Sequence, residues 1–532
     1  MKNIVLIFTV LFGFQAALAQ VDRSKYPNPA PAREIKLGDV TNFTLDNGLK
    51  VFVVENRKLP RVSFSLVLDR DPILEGDKAG MLDVFGEMLK GGTTQRSKDQ
   101  LDEEIDFIGA SLNAGSTSVS ASGLKKHQEK ILELMTDVLF NPVFPESELD
   151  KLKKQSVSNI VASKEDPGAI SSRLTTKLNF GASHPYGEIA TETTVNNISV
   201  DDMKNYYTTY FKPNIGYLAI VGDIDANEAK QLVDKYFKSW QKGQVPSFSY
   251  AKPSAPQKNF VALVDRPASV QSVLNVTFPV DISLSNPDYI ATRVMNYILG
   301  GGASSRLFLN LREDKGYTYG AYSSMGVDKL ITSFSATANV KTEVTEPSVT
   351  ELLQEIQGIW ENGVTEDELE AAKASLSGSF GRSLERPATI ANFAINTERY
   401  GLPQDFYATY LQQLNNLTVA DVNAVAKKYL TPDQMYITVV GKGAEIEEKL
   451  KAFGEVKKFN NMGDPEKSIA MSSNANPEMI FNKYFEALGG VEKVATIKSL
   501  KSESEGTVQG IPLNMVMAQD ENAPAFVNKI TG

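Results

Sequence analysis

The chain predicts an α+β fold: two homologous tandem halves, a linker, and a small C-terminal α+β domain. Three observations carry this. Apolar residues recur with helical period in some segments and alternate with period two in others. A length of 532 residues exceeds one ordinary core. And the chain repeats itself. Asn197-Ile198-Ser199-Val200-Asp201-Asp202 recurs 219 residues on as Asn416-Leu417-Thr418-Val419-Ala420-Asp421. Lys212-Pro213-Asn214 with Val221-Gly222 recurs at the same shift as Thr431-Pro432-Asp433 with Val440-Gly441. Glu148-Leu149 and Lys153 recur as Glu368-Leu369 and Lys373 at 220, and Leu89, Gly91 and Arg96 as Leu299, Gly301 and Arg306 at 210. These matches place the halves at 36–242 and 258–465. The Pro/Gly-containing linker is 243–257, and a partial third domain runs from 475 to 532.

Residues 1–19 read as a secretory signal: Lys2, an apolar run Ile4–Phe14, and Ala17-Leu18-Ala19 before a cleavage point at Gln20. No Cys follows, which excludes a lipoprotein signal. No later stretch is long and apolar enough to span a membrane, so no transmembrane segment is expected after signal removal. The expected location is periplasmic or otherwise exported. Val21 to Ile35, with three prolines, reads as an extended arm.

Asp46-Asn47-Gly48 predicts a hairpin turn, and Val62 to Leu68 a strand. A helix is expected from Lys78 to Lys90, stopped by Gly91-Gly92. It carries Leu82, Phe85 and Leu89 on one face and Asp83 and Glu87 on another. A strand region at Ala110–Ser122 and helices at Lys125–Phe140 and Glu146–Lys164 follow. His184-Pro185-Tyr186-Gly187 is a loop, leading to a helix at Val200–Phe211 and a strand at Tyr217–Gly222. In the tail, Ser468 to Pro477 is polar, Met479 onward is helical up to Gly489-Gly490, and Ser499 to Met517 alternates as strands.

Composition excludes several functions. A net charge of −10 gives no reason to expect nucleic acid or an anionic membrane surface as a partner. The absence of Cys removes disulfides, thiolate nucleophiles and Cys-based zinc sites. The two histidines, His127 and His184, are far apart, which argues against a His-based metal site.

The most informative stretch is Leu299–Ser324. A glycine turn, Gly300-Gly301-Gly302, opens a helix with Leu307, Leu309 and Leu311 among its apolar positions. Gly316 stops it, and an alternating aromatic strand follows from Tyr317 to Tyr322. An Arg fork and a phenol donor brought together suit a peptide carbonyl or a developing oxyanion. Spacing alone favours the plainer reading of a solvated Arg and a core Tyr. The glycine turn reads equally as a tight helix entry and as a place for close peptide approach.

The pattern SRLF…LRE…G-x-x-Y resembles the C-terminal half of the pitrilysin/insulinase family of zinc metallopeptidases. The resemblance covers about 36–465. It implies two similar halves per chain, closing on a partner to form a chamber. In that family an Arg and a Tyr seven residues later face the zinc across the chamber, beside the scissile carbonyl; Arg312 and Tyr319 match that pair. Tyr317 fills an intervening position where the family often has an aliphatic residue. Active subunits carry H-x-x-E-H shortly before a Gly-Thr, two zinc ligands flanking a general base, with a further Glu downstream. Counted back from Gly92-Thr93, these positions are Asp83, Gly86 and Glu87; the downstream ligand falls near Ser158 or Asn159. Every zinc function is missing, so no metal is expected in this chain. Asp83 and Glu87 suit a hard ion better than zinc, or simply a polar helix face.

The resemblance therefore implies the non-zinc subunit of a heterodimeric peptidase, inactive alone. Zinc would reside in a homologous partner, and the substrates would be short or unfolded peptides. Arg312 and Tyr319 would act on the substrate carbonyl, with Gly300–Gly302 beside the peptide. The alternative is a non-catalytic scaffold or binding protein of the same fold. The tail is similar to lipoprotein-sorting-like domains.

Overall fold

A computed structural model describes residues 37–466, 477–508, 511–520 and 527–531. The expected signal, the Pro-rich arm and most of the polar stretch Ser468–Pro477 lie outside the described residues.

The first half is a six-stranded mixed sheet in the order β1-β2-β6-β3-β5-β4, covered by helices. Its strands are β1 (Thr41–Thr44), β2 (Lys50–Glu55), β3 (Arg61–Leu68), β4 (Ser111–Gly115), β5 (Ser118–Leu124) and β6 (Gly216–Gly222). β1 and β2 form the anticipated hairpin, with Gly48 at φ +92° in the turn. The region anticipated as one strand at Ala110–Ser122 is a second hairpin, β4 with β5.

The second half repeats this plan with β7 (Phe260–Asp265), β8 (Gln271–Val280), β9 (Thr318–Met325), β10 (Thr332–Lys341), β11 (Tyr436–Gly441) and β12 (Glu455–Lys458). Its order is β12-β7-β11-β8-β10-β9. β7 pairs parallel with β11 as β2 does with β6, and the next three pairings are antiparallel in both sheets. The halves differ at one edge: β1 is antiparallel to its neighbour, whereas β12 is parallel.

Helices sit close to their anticipated places at Met81–Leu89, Gln128–Phe140, Glu146–Ser163 and Val200–Tyr210. The first starts three residues late, because Gly76–Lys78 forms a 3-10 turn and Gly80 takes φ +99° before the helix. His127 closes another 3-10 turn, just before the Gln128–Phe140 helix, and is half-buried.

Helices at Lys98–Phe107, Pro167–Phe180 and Ala226–Phe237 were not anticipated. Pro167–Phe180 matters most. With its counterpart Pro387–Tyr400 it is exchanged between the halves: each helix packs on the other half's sheet. Ile170 and Leu174 cluster with Ala262, Val264 and Val440 of the second sheet. Ile390, Ala391 and Ile395 cluster with Phe52, Val54 and Ala219 of the first. Both helices have Pro at their first positions, where a missing N–H costs nothing.

The linker forms no helix or strand and lies bound along the first half. The Ser247 hydroxyl and Phe248 N–H donate to Asp71, at 2.7 and 2.9 Å, and the Tyr250 hydroxyl donates to the Pro72 carbonyl at 2.9 Å. The tail is a separate compact unit. It holds helices Pro477–Ala487 and Val491–Ala495 and an antiparallel sheet of β13 (Ser499–Val508), β14 (Ile511–Asp520) and β15 (Val527–Thr531). Among the described residues no helix is long and apolar enough to cross a membrane.

Candidate functional site

The Met81–Leu89 helix presents Asp83 and Glu87 outward and buries Gly86. Glu87 pairs with Lys90 at 3.0 Å. Although Asp83 is exposed at the surface, the protein packed around its carboxyl removes part of its hydration and holds it above its ordinary range. Gly86 is more than a missing side chain. A Cβ there would run into the Ala114 carbonyl oxygen and lie 2.8 Å from Gly115 Cα, both in the backbone of β4. β4 thus lies directly over the helix at Gly86, the position that the sequence resemblance matches to a general base. Among the described residues no cluster of three or more His, Asp or Glu side chains is arranged to hold a metal ion.

His184 is buried among Phe180, Tyr186 and Tyr250, and its Nδ1 accepts from the Tyr186 N–H at 3.1 Å. It is a packing residue joining the first half to the linker.

The repeat pairs Arg96 with Arg306, and both are structural. Arg96 donates to Glu104, Glu133 and Asp137. Arg306 grips Glu368 with two bonds, 2.6 and 2.8 Å, and donates to the Gly363 carbonyl at 2.9 Å.

Arg312 is held differently. The helix begun at Arg306–Phe308 widens into a π-helical turn over Leu309–Asp314, closed by the Lys315 N–H on the Asn310 carbonyl. Leu307 and Leu311, four residues apart, share the buried face, and Leu309, two residues from each, lies off it and is exposed. Arg312 lies over the Phe308 ring at 4.7 Å, its side chain 46 % exposed, with Glu313 at 3.5 Å as its ion-pair contact. Isolated π-turns are frequent at functional sites.

Tyr319 sits on a second irregularity. β9 is the edge strand, and its pairing with β10 slips between Ala338 and Val340. Two residues, Tyr319 and Gly320, therefore face one on β10. Such a bulge re-aims a side chain. Ala321 and Ser323 are buried, and strict alternation would bury Tyr319 with them; instead it is 91 % exposed. Thr318 stitches the bulge, its hydroxyl donating to the Asn339 carbonyl at 2.8 Å.

The three glycines lie where the Tyr289–Gly300 helix ends. A Cβ on Gly300 would collide with Ser323 of β9, and one on Gly301 would lie 2.6 Å from Tyr297 Cα. The first glycine lets the helix end seat against the edge strand. The turn thus leaves one helix before entering the next.

A model described as insulinase (peptidase family M16) matches residues 73–181, and one described as the peptidase M16 inactive domain matches 197–376. The chain belongs to the insulinase family of M16 peptidases. It is 26 % identical over 406 residues to the "Uncharacterized zinc protease YmxG" of Bacillus subtilis, covering 74 % of this chain and 96 % of that one. It is 23 % identical over 403 residues to the "Non-peptidase homolog YmxG" of Helicobacter pylori, covering 74 % and 92 %. The crystal structure of a peptidase M16 inactive domain from Pseudomonas fluorescens superposes with a TM-score of 0.68 at 26 % identity, covering 76 % of this chain and 98 % of that one. Within M16, this chain is a peptidase-like member without the zinc motif.

One feature escaped the sequence reading. The repeat shift of 210 carries Asp83, Gly86 and Glu87 onto Arg293, Asn296 and Tyr297 of the Tyr289–Gly300 helix. These three line a cavity of about 710 Å³ beside β9. The repeat contained the signal, but no metal motif drew attention to the second half's helix.

Proposed function

We propose that this M16 chain is the non-zinc subunit of an exported, two-chain metallopeptidase acting on short or unfolded peptides. Its partner would be a homologous chain bearing the zinc-bound water that attacks the scissile carbonyl. Arg312 and Tyr319 would donate to that carbonyl oxygen and to the oxyanion formed from it, lowering the barrier where charge develops. The peptide would run as an added strand along β9, passing the Gly300–Gly302 turn.

The observation that carries this reading is the paired irregularity. Arg312 stands on a π-helical turn and Tyr319 on an edge-strand bulge, both turned outward, whereas the neighbouring Arg306 is fixed in an ion pair. The covered Gly86 position agrees with a chain that supplies no zinc centre of its own.

The test is cleavage of an unstructured fluorogenic peptide by the chain alone and mixed with a zinc-bearing M16 chain. Activity is expected only in the mixture, and Arg312→Ala or Tyr319→Phe should lower it by about a hundredfold. A mixture that assembles and cuts equally well with both substitutions would make this chain a scaffold.

A further inference from the structure

We propose that the second half carries a binding cleft for a carboxylate borne on an aromatic or apolar group, anchored by Arg293. Two cavities, of about 710 and 400 Å³, share Tyr289, Arg293, Val327 and Ser379 in their walls. The larger is polar, with Asn296, Tyr297, Ser323 and Thr332. The smaller is aromatic, with Phe380, Phe393, Phe406, Tyr407 and Tyr410.

Charge selects the ligand. In a chain with 65 acidic residues and a net charge of −10, no carboxylate lines either cavity among the described residues; the charged side chain present is Arg293. Arg293 is exposed, donates to the Tyr289 hydroxyl at 3.4 Å and lies 5.7 Å over the Tyr410 ring. A guanidinium fork free of an ion pair matches a carboxylate with two parallel bonds.

A second, independent observation points the same way. The Tyr410 side chain is 2 % exposed, lines the aromatic cavity, and its hydroxyl has no hydrogen-bond partner. An orphaned buried hydroxyl is costly, and the ligand carboxylate on Arg293, which lies over the Tyr410 ring, would satisfy it once the side chain turns toward the cavity. The aromatic walls would take the apolar group by ring packing.

The ligand that fits is the C-terminal residue of a peptide with an aromatic side chain. Its carboxylate would sit on Arg293, its ring in the aromatic cavity and its preceding residues along the polar one. Neither Arg312 nor Tyr319 lines the cleft, so the proposal goes beyond the split-site reading and stands or falls on this chain alone.

The experiment measures binding of a fluorescein-labelled pentapeptide ending in Phe to the full chain by anisotropy. Its C-terminal amide and 3-phenylpropionate serve as competitors. The free acid is expected to bind at least about tenfold more tightly than the amide, and Arg293→Gln should remove that difference. Tyr410→Phe should weaken binding severalfold without lowering the unfolding midpoint, since it removes only an unpartnered hydroxyl. Displacement by 3-phenylpropionate as effective as by the peptide would support the carboxylate anchor and assign the cleft to free amphipathic acids. Equal affinity for acid and amide, indifference to Arg293→Gln, or no saturable binding would overturn the proposal.

Discussion

Gly86→Ala tests whether the packing of β4 leaves room for any side chain at that position. In the middle of an ordinary exposed helix this substitution stabilises by about 1 kcal/mol, because Gly has more backbone freedom to lose. Here the added methyl would meet the Ala114 carbonyl oxygen, Gly115 Cα at 2.8 Å and Ala114 C at 2.9 Å. All three are backbone atoms, so no rotamer change relieves the clash and β4 must move. Overpacking of this kind costs about 1–3 kcal/mol, and with rigid backbone on both sides the upper end applies. The net effect should be a destabilisation of about 1–2 kcal/mol. Gly381→Ala is the control: it is also helical, and its Cβ would meet nothing within 4 Å. It should raise stability by about 0.5–1 kcal/mol. The assay is the urea midpoint of the two variants beside the parent chain. The triple substitution D83H/G86E/E87H should then bind no stoichiometric zinc by elemental analysis and cleave no peptide. A Gly86→Ala variant as stable as Gly381→Ala, or a triple variant that takes up one zinc, would refute the steric argument.

Arg306→Gln should destabilise by about 1–3 kcal/mol, since it strands the half-buried Glu368 carboxylate; Arg312→Ala should leave the unfolding midpoint unchanged, a contrast that denaturation curves read directly. Burial pushes the Glu75 carboxyl up to about 7 from 4.5. The folded state therefore holds more protons than the unfolded one between those values, and this group's contribution to stability is lost as pH rises from about 4.5 to 7. His184 acts with the opposite sign: burial depresses it below 6.5, so its contribution is lost as pH falls below that value. Thermal melts across pH 4.5–7.5 should show Glu75→Gln removing the falling component and leaving the rising one. Asp69 receives Lys329 at 2.8 Å and Arg399 at 3.0 Å from the second half. Asp69→Asn should loosen that contact and accelerate proteolysis in the linker, read by timed digestion.

The tandem organisation was legible because the two halves keep the same punctuation. Ser199 and Thr418 both cap helices, with Asp202 and Asp421 completing each capping box, and Val221-Gly222 and Val440-Gly441 both end central strands. The exchanged helices were not legible. Pro167–Phe180 has a weakly amphipathic sequence because it packs on a foreign sheet through few residues, Ile170 and Leu174 chief among them. Its only local signal was Asp166 as cap before Pro167. At the candidate site, Arg312 and Tyr319 could be matched by spacing, but their exposure could not. A period-two reading of Tyr317–Tyr322 places Tyr319 on the buried side, and it takes a bulge, formed in pairing with β10, to reverse this.

The exchange of helices constrains how a chamber could close. A hinge at 243–257 would have to pull Pro167–Phe180 off β8 and β11 and Pro387–Tyr400 off β2 and β6. Each separation uncovers side chains now buried: Ile170, Leu174, Val264, Val440 and Phe459 on one side, Phe52, Val54, Ile390 and Ile395 on the other. Exposing a large apolar side chain costs about 1.5–3 kcal/mol, so opening either contact costs on the order of 10 kcal/mol. The ion pairs across the halves add to this, Lys50 with Glu398 and Asp69 with Lys329 and Arg399 among them. The linker offers no slack either, being held to Asp71 and Pro72. At a factor of ten per 1.4 kcal/mol, a separated state lying about 10 kcal/mol uphill is populated by roughly one molecule in ten million. The two halves therefore stay together as one body; on the proposed two-chain reading, enclosing a peptide would come from motion between the chains. Distance measurements between spin labels on exposed Lys126 and Glu361 should give one narrow distribution, unchanged by peptide; a second, longer population would refute the rigid coupling.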